Sequence, residues 1–322
     1  MAGPSSRVVC LDSVMIDFSL MVEALPDRGG DSRAVHRLVS TGGGFNMMSA
    51  ARRQGVAVLY VGQLGVGPFA DIARESIVDE GIDVAIVQGE GIDLGVCVVV
   101  VDGQGERTFI TSPGAELVLS SGDLSLVSAN LGDVVYLSGY NVLYPEVSHV
   151  VVDWLSSLGP EVIVAFDPGP RVDDIAASLL SRVLARTDWL LCNKIEAQVL
   201  APDLSEDDDA VVLARHLRDQ GKHDKVVVRD GANGCVGAST HGLIHAAGFK
   251  SDVIDTNGAG DVHNGVLIAE LLRDASFEEA LLRANAAASL SIAKIGPATC
   301  PSRELVDALL STTTSHTREA RD

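Results

Sequence analysis

The run Asp255-Thr256-Asn257-Gly258-Ala259-Gly260-Asp261 places small residues and a carboxylate just before a largely apolar stretch, Val262 to Leu272, that reads as a helix. Small residues at a helix start let backbone N–H groups approach a ligand, and those groups with the helix dipole form an anion site. A carboxylate held there stays ionised beside the spot where negative charge collects. That suits phosphoryl transfer: the N–H groups hold the moving phosphate and Asp261 takes the proton of an attacking hydroxyl. The plainer alternative is an Asp that caps a helix after a glycine turn. A second run, Thr41-Gly42-Gly43-Gly44-Phe45-Asn46, also leads into a helix. Its glycines permit close approach and Asn46 offers donors and an acceptor to a polyol, unless the run is only a flexible strand-to-helix turn. A third, Asn193-Lys194-Ile195-Glu196, lies where a strand ends and a helix begins. Strand C-termini line the ligand crevice of an α/β sheet, and residues three apart share one side of a first turn. An amide and a carboxylate there could hold a hydrated Mg2+, or cap the helix. A P-loop occurs nowhere, and no Gly-x-Gly-x-x-Gly turn follows the first strand, which disfavours a Rossmann dehydrogenase.

Those residues need elements to hold them. Strands are predicted at Arg7–Leu11, Val56–Val61, Val134–Ser138, Val162–Phe166, Trp189–Cys192 and Lys225–Val228. Helices are predicted at Phe45–Gln54, Phe69–Glu80, Pro145–Leu158, Val172–Leu184, Asp208–Gln220, Asp261–Arg273 and Phe277–Ile295. The alternation predicts an α/β fold, a mainly parallel sheet with helices on both faces, whose inner strands are continuously apolar because both faces are covered. Ala34–Ser40 alternates like a half-exposed strand, and Gly95–Val101 and Glu106–Ser112 flank the hairpin signal Asp102-Gly103-Gln104-Gly105. Extra strands from about 13–41 and 94–113 thus predict a small antiparallel β lid. With no linker or repeat, residues 1–322 are expected to form a single domain carrying that lid, with 311–322 a disordered tail.

Composition narrows the partners. Lys and Arg number 24 against 44 Asp and Glu, a net charge of −20, which repels nucleic acid and an anionic membrane surface. A nucleotide must then be held by a metal ion, helix N-termini or a few placed cations. The five cysteines are far apart with no C-x-x-C pair, and Cys97 lies between valines, so reduced buried thiols are expected. The longest apolar run, Val96 to Val101, is too short to cross a bilayer, and a soluble, cytoplasmic protein is expected.

Together these segments resemble the PfkB (ribokinase-like) family of carbohydrate and nucleoside kinases, in order from about Val8 to Pro301. The most specific part, Asp255–Asp261, is similar to that family's D-T-x-G-A-G-D signature. The resemblance implies that Asp261 is the catalytic base and that Gly258, Ala259 and Gly260 supply the anion hole. It implies that Asn193 and Glu196, matching N-x-x-E, govern Mg2+ and phosphate through water. Asp17 matches the aspartate that binds sugar hydroxyls, and Gly42, Gly43 and Asn46 fall on the glycine signature that contacts substrate. Arg229-Asp230-Gly231-Ala232-Asn233-Gly234 falls on a nucleotide loop, T-x-G-x-x-G, so Arg229, Gly231 and Gly234 are implied at the ATP, with Asn285 near the adenine. Asp167-Pro168-Gly169-Pro170-Arg171 resembles the D-P-x-x-R stretch. The family often uses K+, held by carbonyls near Asp255, Asn257 and Gly296. Its lid often serves as a dimer clasp, which implies a homodimer through the lid.

The sequence departs from the family pattern in three places. Thr41 replaces a glycine, Arg229 stands where a threonine commonly begins the nucleotide loop, and Ser138-Gly139-Tyr140-Asn141 replaces a stretch with a sugar-binding glutamate. These changes keep the catalytic residues and point away from ribose itself. His263, two residues after Asp261 on a helix, points about 160° from it and is expected to be packed or solvated. Arg107, in the lid, is expected on a solvated face, though within reach of an anionic ligand on closure. The resulting expectation is a Mg2+- and ATP-dependent kinase for a hydroxymethyl group of a small sugar. The alternatives are a nucleoside kinase of the same family and a sugar-binding sensor without chemistry.

Overall fold

The computed structural model describes residues 6–86, 91–104, 106–221 and 223–319, with side chains except those of 313–319. Its strands are β1 (Val8–Cys10), β2 (Val14–Met21), β3 (His36–Gly43), β4 (Val58–Tyr60), β5 (Asp83–Val84), β6 (Val96–Val101), β7 (Arg107–Ser112), β8 (Val134–Ser138), β9 (Ile163–Asp167), β10 (Trp189–Asn193), β11 (Lys225–Arg229), β12 (Cys235–Ser239) and β13 (Gly242–Ala246). The helices are α1 (Gly44–Arg53), α2 (Pro68–Asp79), α3 (Ser121–Ser125), α4 (Tyr140–Leu143), α5 (Pro145–Ser157), α6 (Ala177–Arg186), α7 (Lys194–Leu200), α8 (Ala210–Gly221), α9 (Ala259–Leu272), α10 (Phe277–Ser291) and α11 (Arg303–Glu319).

Among the described residues, one sheet runs in the order β13-β12-β11-β10-β9-β8-β1-β4-β5. The strands from β11 to β5 are parallel, and β12 and β13 close one end as an antiparallel hairpin. Side chains alternate across a strand, and here both faces are apolar because both are covered. Val8, Cys10, Val134 and Tyr136 join Met47 and Met48 of α1 and Val266 of α9 in one core. Val9, Val135, Leu137 and Val164 join Val151 of α5, Val183 of α6 and Leu213 of α8 in the other.

Helix α9 lies close against α1 at Gly265, where a Cβ would stand 2.5 Å from the Met47 carbonyl oxygen and 2.7 Å from the Ala50 Cβ. Overpacking of this kind costs about 1–3 kcal/mol. Gly265→Ala is therefore expected to lower the melting temperature by roughly 2–10 °C. An unchanged calorimetric transition would show that the two helices can part without cost.

The smaller sheet, β3-β2-β6-β7, is the expected lid. Its outer pairs are antiparallel, while the central pair β2 and β6 is parallel, with Asp17 opposite Cys97. Asp102 Oδ1 accepts from the Gln104 and Glu106 N–H groups at 2.8 and 3.0 Å and so shapes the β6–β7 turn, of which Gly105 lies outside the described residues. Val39, Phe109 and Ile110 of the lid are exposed.

Several expectations shift. The β12–β13 hairpin carries little strand signal because Gly237, Ala238 and Ser239 are small; at Gly237 a Cβ would stand 2.5 Å from Leu281 Cδ1 of α10. The helix expected from Val172 begins at Ala177 after a 3-10 turn at Val172–Asp174. Helix α10 ends at Ser291 rather than Ile295. The stretch expected as a disordered tail continues α11 through Glu319, and 320–322 lie outside the described residues. The five cysteines are buried and unbridged. No helix among the described residues is long and apolar enough to cross a membrane.

Candidate active site

Parallel strands end on one edge of their sheet, so adjacent strands deliver their last residues side by side. Here β1, β8, β9, β10 and β11 bring a row of polar groups to that edge: Asp12 just past β1, then Ser138, Asp167, Asn193 and Arg229. Helix α9 is pinned over the row by Asn264, whose Nδ2 donates to Asp167 Oδ2 at 2.6 Å and to the Tyr136 hydroxyl at 3.3 Å. The Arg229 guanidinium donates to Asn264 Oδ1 and, at 3.1 Å, to Asp167 Oδ2, and it stands 3.6 Å from Glu196 Oε2.

The first turn of α9 carries Asp261. Gly258 precedes it at φ 73, a left-handed conformation that admits glycine most readily. No side chain caps this helix. Helix geometry leaves the Gly260 and Asp261 N–H groups without intrahelical acceptors, whereas the Ala259 N–H, expected with those of Gly258 and Gly260 to form the anion hole, donates to the Thr256 carbonyl at 3.3 Å. Asp261 opens partly to the crevice but lies deep among protein atoms. That desolvation, reinforced by the charges of Asp12 and Asp167, raises its carboxyl to about 8, against the hydrogen bond from Asn46 and the charge of Arg229.

Asn46 differs from expectation in its partners. It is buried, its Nδ2 donates to Asp261 Oδ2 at 3.1 Å, and its Oδ1 accepts from the Ala298 N–H at 2.9 Å. It orients Asp261 rather than offering a whole amide to a polyol. Asp17 lies on the lid strand β2, nearly buried, with one long bond of 3.4 Å from Asn257 Nδ2. Burial raises its carboxyl to about 6. Gly42 and Gly43 serve this arrangement: a Cβ on Gly42 would run into the Asp17 carboxylate, and one on Gly43, at φ 61, into the Ser13 carbonyl.

Asn193 and Glu196 form a reciprocal cap. Glu196 N donates to Asn193 Oδ1 at 2.9 Å, Asn193 N donates to Glu196 Oε2 at 2.8 Å, and Asn193 Nδ2 donates to Glu196 Oε1 at 2.7 Å. Burial and Asp167 raise the Glu196 carboxyl while Arg229 opposes them. Among the described residues no group of three or more His, Cys, Asp or Glu is arranged to hold a metal. Arg229 braces the carboxylate row through Asp167 and Glu196 and heads the loop expected at the nucleotide, in which Gly231 at φ 54 faces open space and Gly234 at φ 90 packs on the Ala246 carbonyl. Asn285 stands apart: its Nδ2 donates to the Ala246 and Ala247 carbonyls at 2.9 and 3.2 Å, and its Oδ1 meets His263 Nε2 at 3.2 Å. His263 is packed, with burial lowering it to about 3.

Three residues, Asp255, Arg107 and Asp12, have partners here that are not legible in the sequence. The carboxylate of Asp255, a residue expected near a monovalent cation held by main-chain carbonyls, accepts from the Asn257 and Gly296 N–H groups, both at 2.9 Å, and from Arg107. Arg107 also donates to Thr256 Oγ1 at 3.1 Å, so the lid arginine grips the Asp255–Asp261 segment instead of standing on a solvated face. Asp12 was unremarked, although a charge directly after an apolar strand was the available signal.

Comparison with known proteins gives a consistent picture. A family model described as pfkB family carbohydrate kinase matches residues 5–304. The chain is 30% identical over 307 residues to the uncharacterized sugar kinase YegV of Escherichia coli (strain K12), covering 92% of each. It is 28% identical over 313 residues to the ATP-dependent ribose-1-phosphate kinase of Halopiger xanaduensis, covering 95% of this chain and 98% of that protein. The crystal structure of ribokinase from Thermotoga maritima superposes with a TM-score of 0.78 at 25% identity, covering 95% and 99% of the two chains. From the family match across most of its length and these relatives, the chain belongs to the pfkB family of carbohydrate kinases.

Proposed function

We propose that this kinase transfers the terminal phosphate of ATP to a hydroxymethyl group of a small sugar in one in-line step, with Asp261 as the base. The observation that carries the reading is the junction at the start of α9: a desolvated carboxylate beside N–H groups that the helix leaves without acceptors. Asp261 accepts the proton of the hydroxyl, and the Gly260 and Asp261 N–H groups hold the charge gathering on the phosphate. Asn46 fixes the carboxylate that receives the proton. Relatives named ATP-dependent ribose-1-phosphate kinase and ribokinase support ATP as the donor, and the ribokinase relative supports a small neutral sugar as the acceptor.

Mg2+ fits as an ion that arrives with the nucleotide, because Glu196 has both oxygens engaged and offers contact through water. Bound there, the ion neutralises charge on the phosphate oxygens. K+ would rely on main-chain carbonyls near Asn257 and Gly296, since the Asp255 carboxylate is occupied by Arg107. A nucleoside acceptor is the second reading, favoured by the exposed ring of Tyr140, just past the end of β8, which offers an aromatic face to a base. We propose a homodimer through the lid, whose exposed Phe109 and Ile110 a second copy would cover.

The test is ADP release from Mg2+-ATP in the presence of D-ribose, D-fructose, adenosine or inosine, with K+ present and omitted. One acceptor class is expected to raise the rate well above background. Silence with every acceptor, alongside saturable calorimetric binding of one of them, would make the protein a binder and end the kinase reading.

A further inference from the structure

The acceptor end of the crevice holds more negative charge than proton transfer uses. Asp12 is only 6% exposed, and its Oδ1 accepts from the Ser13 N–H at 2.9 Å and from the Ser138 hydroxyl. Its Oδ2 receives no donor from the described residues. Asp17 is 7% exposed and has only the long contact with Asn257. Each carboxylate is thus mostly enclosed, with one oxygen that takes no donor from the described residues and is left to the crevice, and no guanidinium offsets the two. Arg229 is engaged by Asp167, Glu196 and Asn264, and Arg107 by Asp255 and Thr256.

We propose that Asp12 is a second hydroxyl-binding carboxylate of the acceptor site, and that with Asp17 it restricts the acceptor to uncharged polyols, excluding sugar acids and sugar phosphates. The proposal rests on the kinase reading above. The glycine run makes the pairing possible: a Cβ on Gly44 would stand 2.9 Å from the Asp12 Cβ, and one on Gly42 would strike the Asp17 carboxylate. Asp12, through its main chain and Cβ, and Asp17, through its carboxylate, therefore pack on the same glycine turn, one from the main sheet and one from the lid. Hydroxyl groups donate into their open oxygens and replace the hydration lost on burial. An anionic substituent brings a like charge to Asp12 and Asp17 and has no hydrogen to donate to their open oxygens, and like charges in a desolvated crevice repel. The cationic devices, Arg229 and the start of α9, sit toward the donor phosphates. The crevice thus sorts its two substrates by charge.

The experiment compares initial rates for wild type and Asp12→Asn with D-ribose, D-fructose and adenosine as neutral probes, and with D-ribose 1-phosphate and D-gluconate as anionic ones. Asp12→Asn retains an oxygen for Ser13 and Ser138, and thermal unfolding checks its fold. Wild type is expected to use a neutral probe and reject both anions. The variant is expected to raise the acceptor KM by about tenfold to a hundredfold, the worth of one hydrogen bond to a charged group. Its ATP KM should move less than about threefold, and its preference for neutral over anionic probes should narrow by about tenfold. Wild-type turnover of an anionic probe as efficient as of any neutral one would overturn the substrate class while leaving the kinase reading standing. An unchanged acceptor KM and unchanged charge preference in Asp12→Asn would reduce Asp12 to a structural partner of Ser138. If no probe stimulates ATP consumption or binds by calorimetry, the kinase reading fails, and this inference with it. The wild-type charge preference needs no variant, so the proposal stays refutable even if Asp12→Asn does not fold.

Discussion

Asp261→Asn is expected to lower kcat by roughly a hundredfold to ten-thousandfold, while the KM values of ATP and acceptor move less than about threefold. The amide keeps the shape of the carboxylate and can still accept from Asn46, but it cannot take a proton. The same substitution is expected to stabilise the fold. Burial and Asp12 raise the Asp261 carboxyl from 3.8 to about 8. Between those values the folded protein binds a proton that the unfolded chain releases, so stability falls as pH rises through the window. An amide does not titrate. The variant should therefore melt above wild type by a margin that grows from pH 5 to pH 8 and then levels off. Wild-type activity should rise over the same interval, because the base must be ionised to act. Parallel melting and rate profiles check both. Equal melting at pH 8.5 would mean that the carboxylate is well solvated, and full activity would end its assignment as base.

Arg229→Met is the second large effect. The guanidinium lies between Asp167 and Glu196, with 13% of its side chain exposed. Removing one partner of a buried charge cluster typically costs about 3–5 kcal/mol. A chain of this size should then melt roughly 5–15 °C lower. The loss should depend on pH in a stated direction. Burial and Asp167 already raise the Glu196 carboxyl, and without Arg229 it rises further. Its folded value then lies above its unfolded one, so the penalty is full at high pH and shrinks as Glu196 takes up a proton. The melting deficit should be widest at pH 8 and narrow toward pH 5, and Arg229→Lys should recover part of it. A deficit equal at both pH values would point to lost packing instead of lost charge.

Much of this architecture is legible locally. Apolar runs such as Val134–Ser138 announce strands covered on both faces, and the Asp-Gly turn at Asp102 announces the lid hairpin. The Asp255–Asp261 run marks its own helix start, because small residues and a carboxylate next to each other carry the whole signal. What escapes is long-range. The hydrogen bond between Asp12 and Ser138 joins residues 126 apart, and that between Arg107 and Asp255 joins residues 148 apart. Nothing in either residue's neighbourhood names its partner. Asn285 escapes in the same way: nothing near it in the chain announces that its amide meets the Ala246 and Ala247 carbonyls and His263.

The strand that bears Asp17 belongs to the lid, whereas Asp12 and Asp261 belong to the body. A molecule whose hydroxyls reach both therefore stitches the two parts together, adding to the built-in tie of Arg107 on Asp255. Water lacks the span to do this. On the proposed reading, shelter over the reacting phosphate would then arrive together with the acceptor.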